Sequence, residues 1–233
     1  MRTVSRLSLP LVLILFFTGI PQASAQDSPP PNDTVQDSTA QGGTALNLTA
    51  GTVGLSIGDS ERTTGLRLNY RDHQMRWVHG INATIWHPPY DQARGTVRGL
   101  ALGVPVTGAM RIHGVAAGAG VGTTETIAGV GLAALGLGAG EHLDGIAVGG
   151  LGVGAGGSIR GILVAGLGAG AGEHISGVAV SGLGIGSGGS VRGVLVSGVG
   201  GGAGDALTGI GVAGIGLGTG GALSGIGIAG IGA

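Results

Sequence analysis

Cysteine and lysine are absent from this 233-residue chain, and charge of either sign is scarce. Eleven basic residues, all Arg, stand against twelve acidic ones, for a formal net charge of −1. Without Cys there can be no disulfide, no thiolate metal site and no Cys nucleophile. With no basic cluster, nucleic acid is excluded as a partner. Aromatic residues make up 3% of the chain and none follows Tyr90. Proline is limited to eight residues. What is abundant is glycine, 56 residues, only nine of them before Val97. They follow no Gly-X-Y step, which excludes collagen.

The N-terminus reads as an export signal over residues 1–25. Arg2 and Arg6 precede an apolar run over 7–18, and Ala23-Ser24-Ala25 is a small-x-small cleavage site. The apolar run is shorter than the ~20 residues a membrane span needs, so a retained signal-anchor is the lesser alternative. The mature chain is expected to begin near Gln26. Residues 26–45 are polar and include Pro29-Pro30-Pro31. Such a stretch buries too little apolar surface to offset ordering entropy, and a disordered linker is expected.

From Val97 onward the chain repeats at a step of sixteen residues, with first residues Leu143, Ile159, Ile175, Val191, Leu207 and Leu223; Val97, Ile112 and Ile127 begin earlier units, the first two of fifteen residues. Counting from these residues, positions 1, 4, 6, 9 and 11 are apolar in almost every copy, and positions 3, 8, 10, 12 and 14 are mostly Gly. A period this short over so many copies marks a stacked array. A smaller motif, Gly-apolar-x-apolar, extends the array backwards through Gly54-Leu55-Ser56-Ile57, Gly65-Leu66-Arg67-Leu68 and Gly80-Ile81-Asn82-Ala83. The spacings of its glycines are 11, 15 and 19 before they settle. Residues 46–96 are therefore read as divergent coils forming a cap, and 97–233 as the regular array. Positions 4/6 and 9/11 are expected to be short strands with their apolar residues inward. Small residues then face outward with an occasional Leu (Leu163, Leu195), and Gly at 3 and 8 makes corners through positive φ.

Two all-β folds fit a sixteen-residue step. In a β-solenoid each unit is one coil and neighbours pair in parallel, ~4.8 Å apart. In an antiparallel meander or barrel each unit is a strand with its turn. A second-order pattern favours the solenoid: Glu141-His142 returns as Glu173-His174, with Gly157-Ser158 and Gly189-Ser190 between. Stacked coils then form the column Glu141, Gly157, Glu173, Gly189, Asp205, Gly221, which keeps like charges two rungs, about 9.6 Å, apart. The same stacking sets Asp144 beside Arg160. A transmembrane barrel is disfavoured because no aromatic is available for its girdles after Tyr90. Residues 206–233 are uncharged and long enough to mimic a membrane helix, but glycine would cost such a helix ~1 kcal/mol each time.

No catalytic, cofactor-binding or metal-binding constellation emerges. Glycine-rich matches to phosphate loops lack the Lys-Ser/Thr that would follow. His142 and His174 lie two coils apart in a solenoid, and the next copy, Asp205-Ala206, drops the His; they read as solvated corner residues. The serines have no paired base. The one candidate binding surface is in the cap, which holds every aromatic of the mature chain (Tyr70, Trp77, Trp86 and Tyr90), and it comprises Tyr70, Arg71, Trp77, Trp86, His87 and Tyr90. Trp, Tyr and Arg anchor contacts, although the same rings would equally serve to cover the end of a thin core.

The iterated Gly145-Ile146-Ala147-Val148-Gly149-Gly150 motif, with its forerunner Gly80-Ile81-Asn82-Ala83-Thr84-Ile85-Trp86, resembles glycine-rich surface-repeat proteins of Gram-negative-type bacteria, over roughly residues 46–233. The resemblance implies a surface or envelope location and no established activity. The expectation is thus an exported, non-enzymatic repeat protein, an adhesive or envelope-contact scaffold; the competing classes are an outer-membrane barrel and a small-ligand module using the aromatic cap. The last unit reaches Ala233 eleven residues into its period, and self-association or envelope contact is expected through that apolar edge.

Overall fold

The computed structural model describes residues 45–50, 53–71, 75–86 and 94–232. The expected export signal and nearly all of the expected linker lie outside these. The described residues contain strands and no helix. In chain order they are β1 (Ala45–Ala50), β2 (Val53–Gly58), β3 (Arg62–Arg71), β4 (Trp77–Trp86), β5 (Thr96–Ala139), β6 (His142–Gly149), β7 (Gly152–Ala155), β8 (Ile159–Ala165), β9 (Gly168–Ala171), β10 (Ile175–Ser181), β11 (Gly184–Ser187), β12 (Val191–Ser197), β13 (Gly200–Ala203), β14 (Leu207–Ala213), β15 (Gly216–Thr219) and β16 (Leu223–Ala229).

Their pairing is that of a β-solenoid. Each unit gives one long and one short strand. Long strands pair in parallel with the next long strand, and short with short, in two ladders that both grow from β5. Gly145 lies against Gly161, Gly161 against Gly177, and Gly177 against Gly193, each one repeat later. The irregular spacings of the cap are kept in register too: Gly54 pairs with Gly65, Gly65 with Gly80 and Gly80 with Gly99. Parallel pairing at this step excludes the meander and the barrel. The one antiparallel pair is β1 on β2, at the N-terminal edge of the array. The glycine-rich stretch after Ala206 is strand, and no helix among the described residues is long and apolar enough to cross a membrane.

The expected facing of the side chains is corrected. Positions 4, 6 and 9 point outward, and positions 1, 5, 7, 11 and 13 point inward. In β8, Ile159, Leu163 and Ala165 are buried while Ile162 and Val164 are exposed. Leu163 and Leu195, expected outside, are both fully buried. The reason is the period of a strand. Position 1 is inside, so alternation puts 5 and 7 inside with it and 4 and 6 outside. Volume imposes the same phase, because a coil is only one strand spacing, ~4.8 Å, thick and cannot hold four large side chains.

The lumen shows how tightly that volume is shared. Position 5 runs Gly131, Ala147, Leu163, Ala179, Leu195, Gly211, and position 11 runs Leu137, Val153, Ala169, Ile185, Gly201, Leu217. Within each coil the larger side chain on one side meets the smaller on the other. A Cβ added at Gly131 would strike the Leu137 side chain, one at Gly201 would strike Leu195, and one at Gly211 would strike Leu217. Interdigitation of large with small across facing positions is how a thin core reaches native density.

Corner glycines divide into two kinds. At position 3 they have positive φ, 121–132° from Gly145 to Gly225. At positions 8 and 14 φ is not positive, contrary to expectation for position 8; there a Cβ would overlap the carbonyl oxygen one coil earlier, as Gly166 does over Gly150 and Gly172 over Gly156. Positions 10 and 12, on the short strands, are different again. From Gly136 to Gly218 an added Cβ comes no closer than 3.2 Å to any atom, and at Gly138, Gly186 and Gly218 it meets nothing. The corner glycines are required by this chain's own packing, and those on the short-strand face are not.

This packing can be tested at the lumen and at the corners. Leu163→Ala should lower stability by about 2–5 kcal/mol, and Ala169→Leu alone by about 1–3 kcal/mol through overpacking. The double variant should be more stable than the sum of the two losses, read as a positive coupling in a denaturation cycle. At the corners, Gly161→Ala should cost about 1–3 kcal/mol in backbone strain alone, whereas Gly154→Ala should be neutral or stabilise by up to about 1 kcal/mol, as measured by thermal melting.

Candidate functional site

The solenoid distributes the predicted aromatic surface over two places. Arg71 and Trp86 end β3 and β4 in register with one another. Tyr70, beside Arg71, is 65% exposed and does not cover the core. Trp77 begins β4, nine residues before Trp86, a separation of up to about 30 Å along a strand. Its ring is half-buried and leans on His79, centroids 4.7 Å apart and planes at 33°. His79 Nε2 lies 3.4 Å from a guanidinium nitrogen of Arg98 on the next coil. His87 and Tyr90 lie outside the described residues. Tyr70 and Trp77 therefore lie near opposite ends of the paired strands β3 and β4.

A polar cluster that sequence reasoning missed lies inside the cap. Arg67 is fully buried. Its Nε donates to Ser60 Oγ at 3.2 Å, one terminal nitrogen to Asn82 Oδ1 at 2.9 Å, and the other to Asp59 Oδ1 at 2.9 Å. Ser60 Oγ is 2.8 Å from Thr63 Oγ1, and Asn82 Nδ2 donates to Thr84 Oγ1 at 3.3 Å. Ser56, Arg67 and Asn82 are successive residues of the position-5 column, in register across β2, β3 and β4. The signal was present in the motif: in Gly-apolar-x-apolar the x position faces the lumen. Buried charge is tolerated when it is paired and fully hydrogen-bonded. A buried guanidinium held by Asp59, Ser60 and Asn82 offers no acid, base or nucleophile to a substrate, and it fills the lumen of the first coils.

The histidine corners also have a structural role. His174 Nδ1 lies 3.1 Å from Ser190 Oγ and accepts the Ser190 backbone N–H at 3.2 Å; His142 Nδ1 lies 3.5 Å from Ser158 Oγ. A Cβ at Gly189 would crowd His174 Nδ1, and one at Gly157 would touch the His142 ring. Glu-His therefore alternates with Gly-Ser because each imidazole folds over the glycine of the next coil. The predicted neighbours Asp144 and Arg160 are in register, with side chains 3.9 Å apart on the surface. Among the described residues no group of three or more His, Asp or Glu is placed to hold a metal ion.

An open depression of about 1140 Å³ lies over the glycines of the short strands, between Pro105 and Val106 at one end and Gly168 to Gly170 at the other, with Leu135 along it. Its lining is mostly backbone and aliphatic carbon. No titratable side chain lines it.

What dominates the exterior is aliphatic. Position 4 reads Leu100, Val115, Val130, Ile146, Ile162, Val178, Val194, Ile210 and Ile226, and position 6 reads Leu102, Ala117, Leu132, Val148, Val164, Val180, Val196, Val212 and Ile228. These are the outward columns of the long-strand ladder, and no polar residue interrupts them. Position 9 adds a ridge at the next corner, with Leu135, Leu151, Leu167, Leu183 and Ile215 each about half exposed. No protein-family model, curated protein or solved structure matches this chain.

Replacing Arg67 by Ala should destabilise the cap by about 3–5 kcal/mol, since Asp59 and Asn82 would be left inside without the guanidinium. Hydrogen exchange should show that loss confined to β2, β3 and β4, with the later coils still protected; uniform loss along the array would contradict it.

Proposed function

We propose that this chain is an exported, non-catalytic surface or envelope scaffold that works by contact along its repeats. The observation that carries the reading is the unbroken aliphatic exterior of the long-strand ladder. Soluble monomers rarely expose contiguous apolar patches beyond a few hundred Å², and larger ones mark protein or membrane contact sites. The export signal over residues 1–25 and the likeness of Gly145-Ile146-Ala147-Val148-Gly149-Gly150 and its copies to glycine-rich surface-repeat proteins support an envelope or extracellular address. The contact surface under this reading is the periodic wall of the solenoid, with Tyr70 and Trp77 as separate accessory features of the cap.

The test is expression of the full chain, with its own leader, in a Gram-negative host. The mature mass should correspond to a start near Gln26, and the protein should be found in the envelope or medium. Ile162→Ser, Val178→Ser and Ile210→Ser together should reduce retention in the envelope fraction at least fivefold while shifting the melting temperature by only a few degrees. A cytoplasmic product with an intact leader, or retention unchanged in the triple variant, overturns the proposal.

A further inference from the structure

We infer that the aliphatic face of the long-strand ladder is covered by a second copy of the same chain, two solenoids packing face to face about a two-fold axis perpendicular to their length. The inference rests on the contact-scaffold reading above and names its occupant. Three observations select a second copy.

The first is shape and area. A partner that covers positions 4 and 6 must be flat, apolar and long enough to follow rungs repeating every ~4.8 Å; another copy of this face meets all three conditions. The eight overlapping rungs cover about 38 Å, and the face between the corners at positions 3 and 8 about 17 Å, so each copy offers roughly 650 Å² and the pair roughly 1,300 Å². That falls within the size of a specific, stable interface. Facing sheets of Val and Ile would interdigitate at the ~10 Å spacing of a sandwich.

The second is charge. The position-2 column borders the face and carries Asp144, Arg160, Ser176, Arg192, Thr208 and Ser224. Arg160 already has Asp144 at 3.9 Å. Arg192 is exposed, its column neighbours are Ser176 and Thr208, and neither carries a charge to pair with it. An antiparallel two-fold between the rungs of Arg160 and Ser176 sets Asp144 of each copy opposite Arg192 of the other. The same axis overlaps the coils from Val115 to Ile226. The charge match therefore sets the register, and it keeps eight of the nine rungs covered.

The third is what the face lacks. A lipid surface is engaged through aromatic residues at the headgroup level and basic residues beside the apolar patch. No aromatic lies on these columns after Tyr90, and Arg160 and Arg192 are the only basic residues beyond Arg111.

The experiment uses the exported full chain with its signal removed by the host. Sedimentation over a range of concentrations should show a dimer that dissociates at least tenfold more readily in the Ile162→Ser, Val178→Ser, Ile210→Ser variant. Because the chain has no Cys, one introduced thiol reports proximity without background. Val180→Cys, next to the proposed axis, should give a cross-linked dimer with a short bis-maleimide, and Gly154→Cys, on the other ladder, should not. Arg192→Asp should weaken the dimer, and adding Asp144→Arg should restore it. A dimer that cross-links at Gly154→Cys and not at Val180→Cys, or that associates end to end and ignores both, overturns the inference. A monomer that floats with phosphatidylethanolamine–phosphatidylglycerol vesicles overturns it while leaving the scaffold reading standing. A monomer that binds neither itself nor vesicles, and is not retained in the envelope, removes both.

Discussion

At almost every corner of this solenoid a carbonyl oxygen occupies the space in which a Cβ would stand. That contact, repeated from one coil to the next, is the constraint on which the rest depends. From Leu143 onward it demands glycine in columns at positions 3, 8 and 14, because any side chain would collide with the backbone one rung earlier. It allows the chain to turn sharply, and sharp turns keep the lumen narrow. A narrow lumen admits one large residue at position 1 and one more at either position 5 or position 11. The exchange of size between those two positions, Leu163 with Ala169 and then Ala179 with Ile185, follows directly. Since each coil touches only its neighbours, stability accumulates as a sum over coils and interfaces.

The same narrowness decides the outer surface. Aliphatic residues beyond those the lumen holds must go outside, and they do so in straight columns because the register never slips after Gly129. Register is strongly specified where one face is buried; here both faces are aliphatic, and the corner glycines together with the volume of the lumen specify the phase instead. The histidine corners add a second lock. An imidazole needs glycine beneath it and serine beside it, so Glu-His and Gly-Ser coils must alternate. From Leu143 onward that alternation runs in step with the exchange of size in the core, which makes the two-coil doublet the true unit of the array.

Much of this architecture was legible in the residues. The sixteen-residue step, the spacings of 11, 15 and 19 in the cap, the Glu141-to-Gly221 column and the Asp144–Arg160 neighbours all follow from stacking like on like, and the structure has each of them. The facing of positions 4 and 6 was not legible from hydrophobicity, because an interior position and an exposed contact surface are equally apolar. The alternation of a strand does carry the answer: position 1 and position 4 cannot both face inward along one strand. Arg67 and Asn82 were hidden for the same reason. They occupy the x of the motif, and polarity there suggested solvent although parity places them inside. The placing of Tyr70 and Trp77 was not legible for a different reason, since nearness in sequence along a strand is not nearness in space. Trp77 and Trp86 share β4 and stand at its two ends.

The two ladders also differ in what they ask of a partner. On the long-strand face the side chains are Ile and Val, shapes that interdigitate and so favour a surface of like period. On the short-strand face the outward glycines from Gly136 to Gly218 have neither positive φ nor a close carbonyl to require them. Glycine inside a strand weakens it, so a run of them in two columns carries a cost in stability that stacking must offset. Offsetting that cost is feasible because the corner and lumen contacts repeat in every coil while each short strand contributes only positions 11 and 13 to the core. The fold therefore concentrates its cohesion in the long strands and the corners, and leaves one wall aliphatic and the other nearly bare. What each wall presents is therefore set by the phase of the repeat rather than by any one residue.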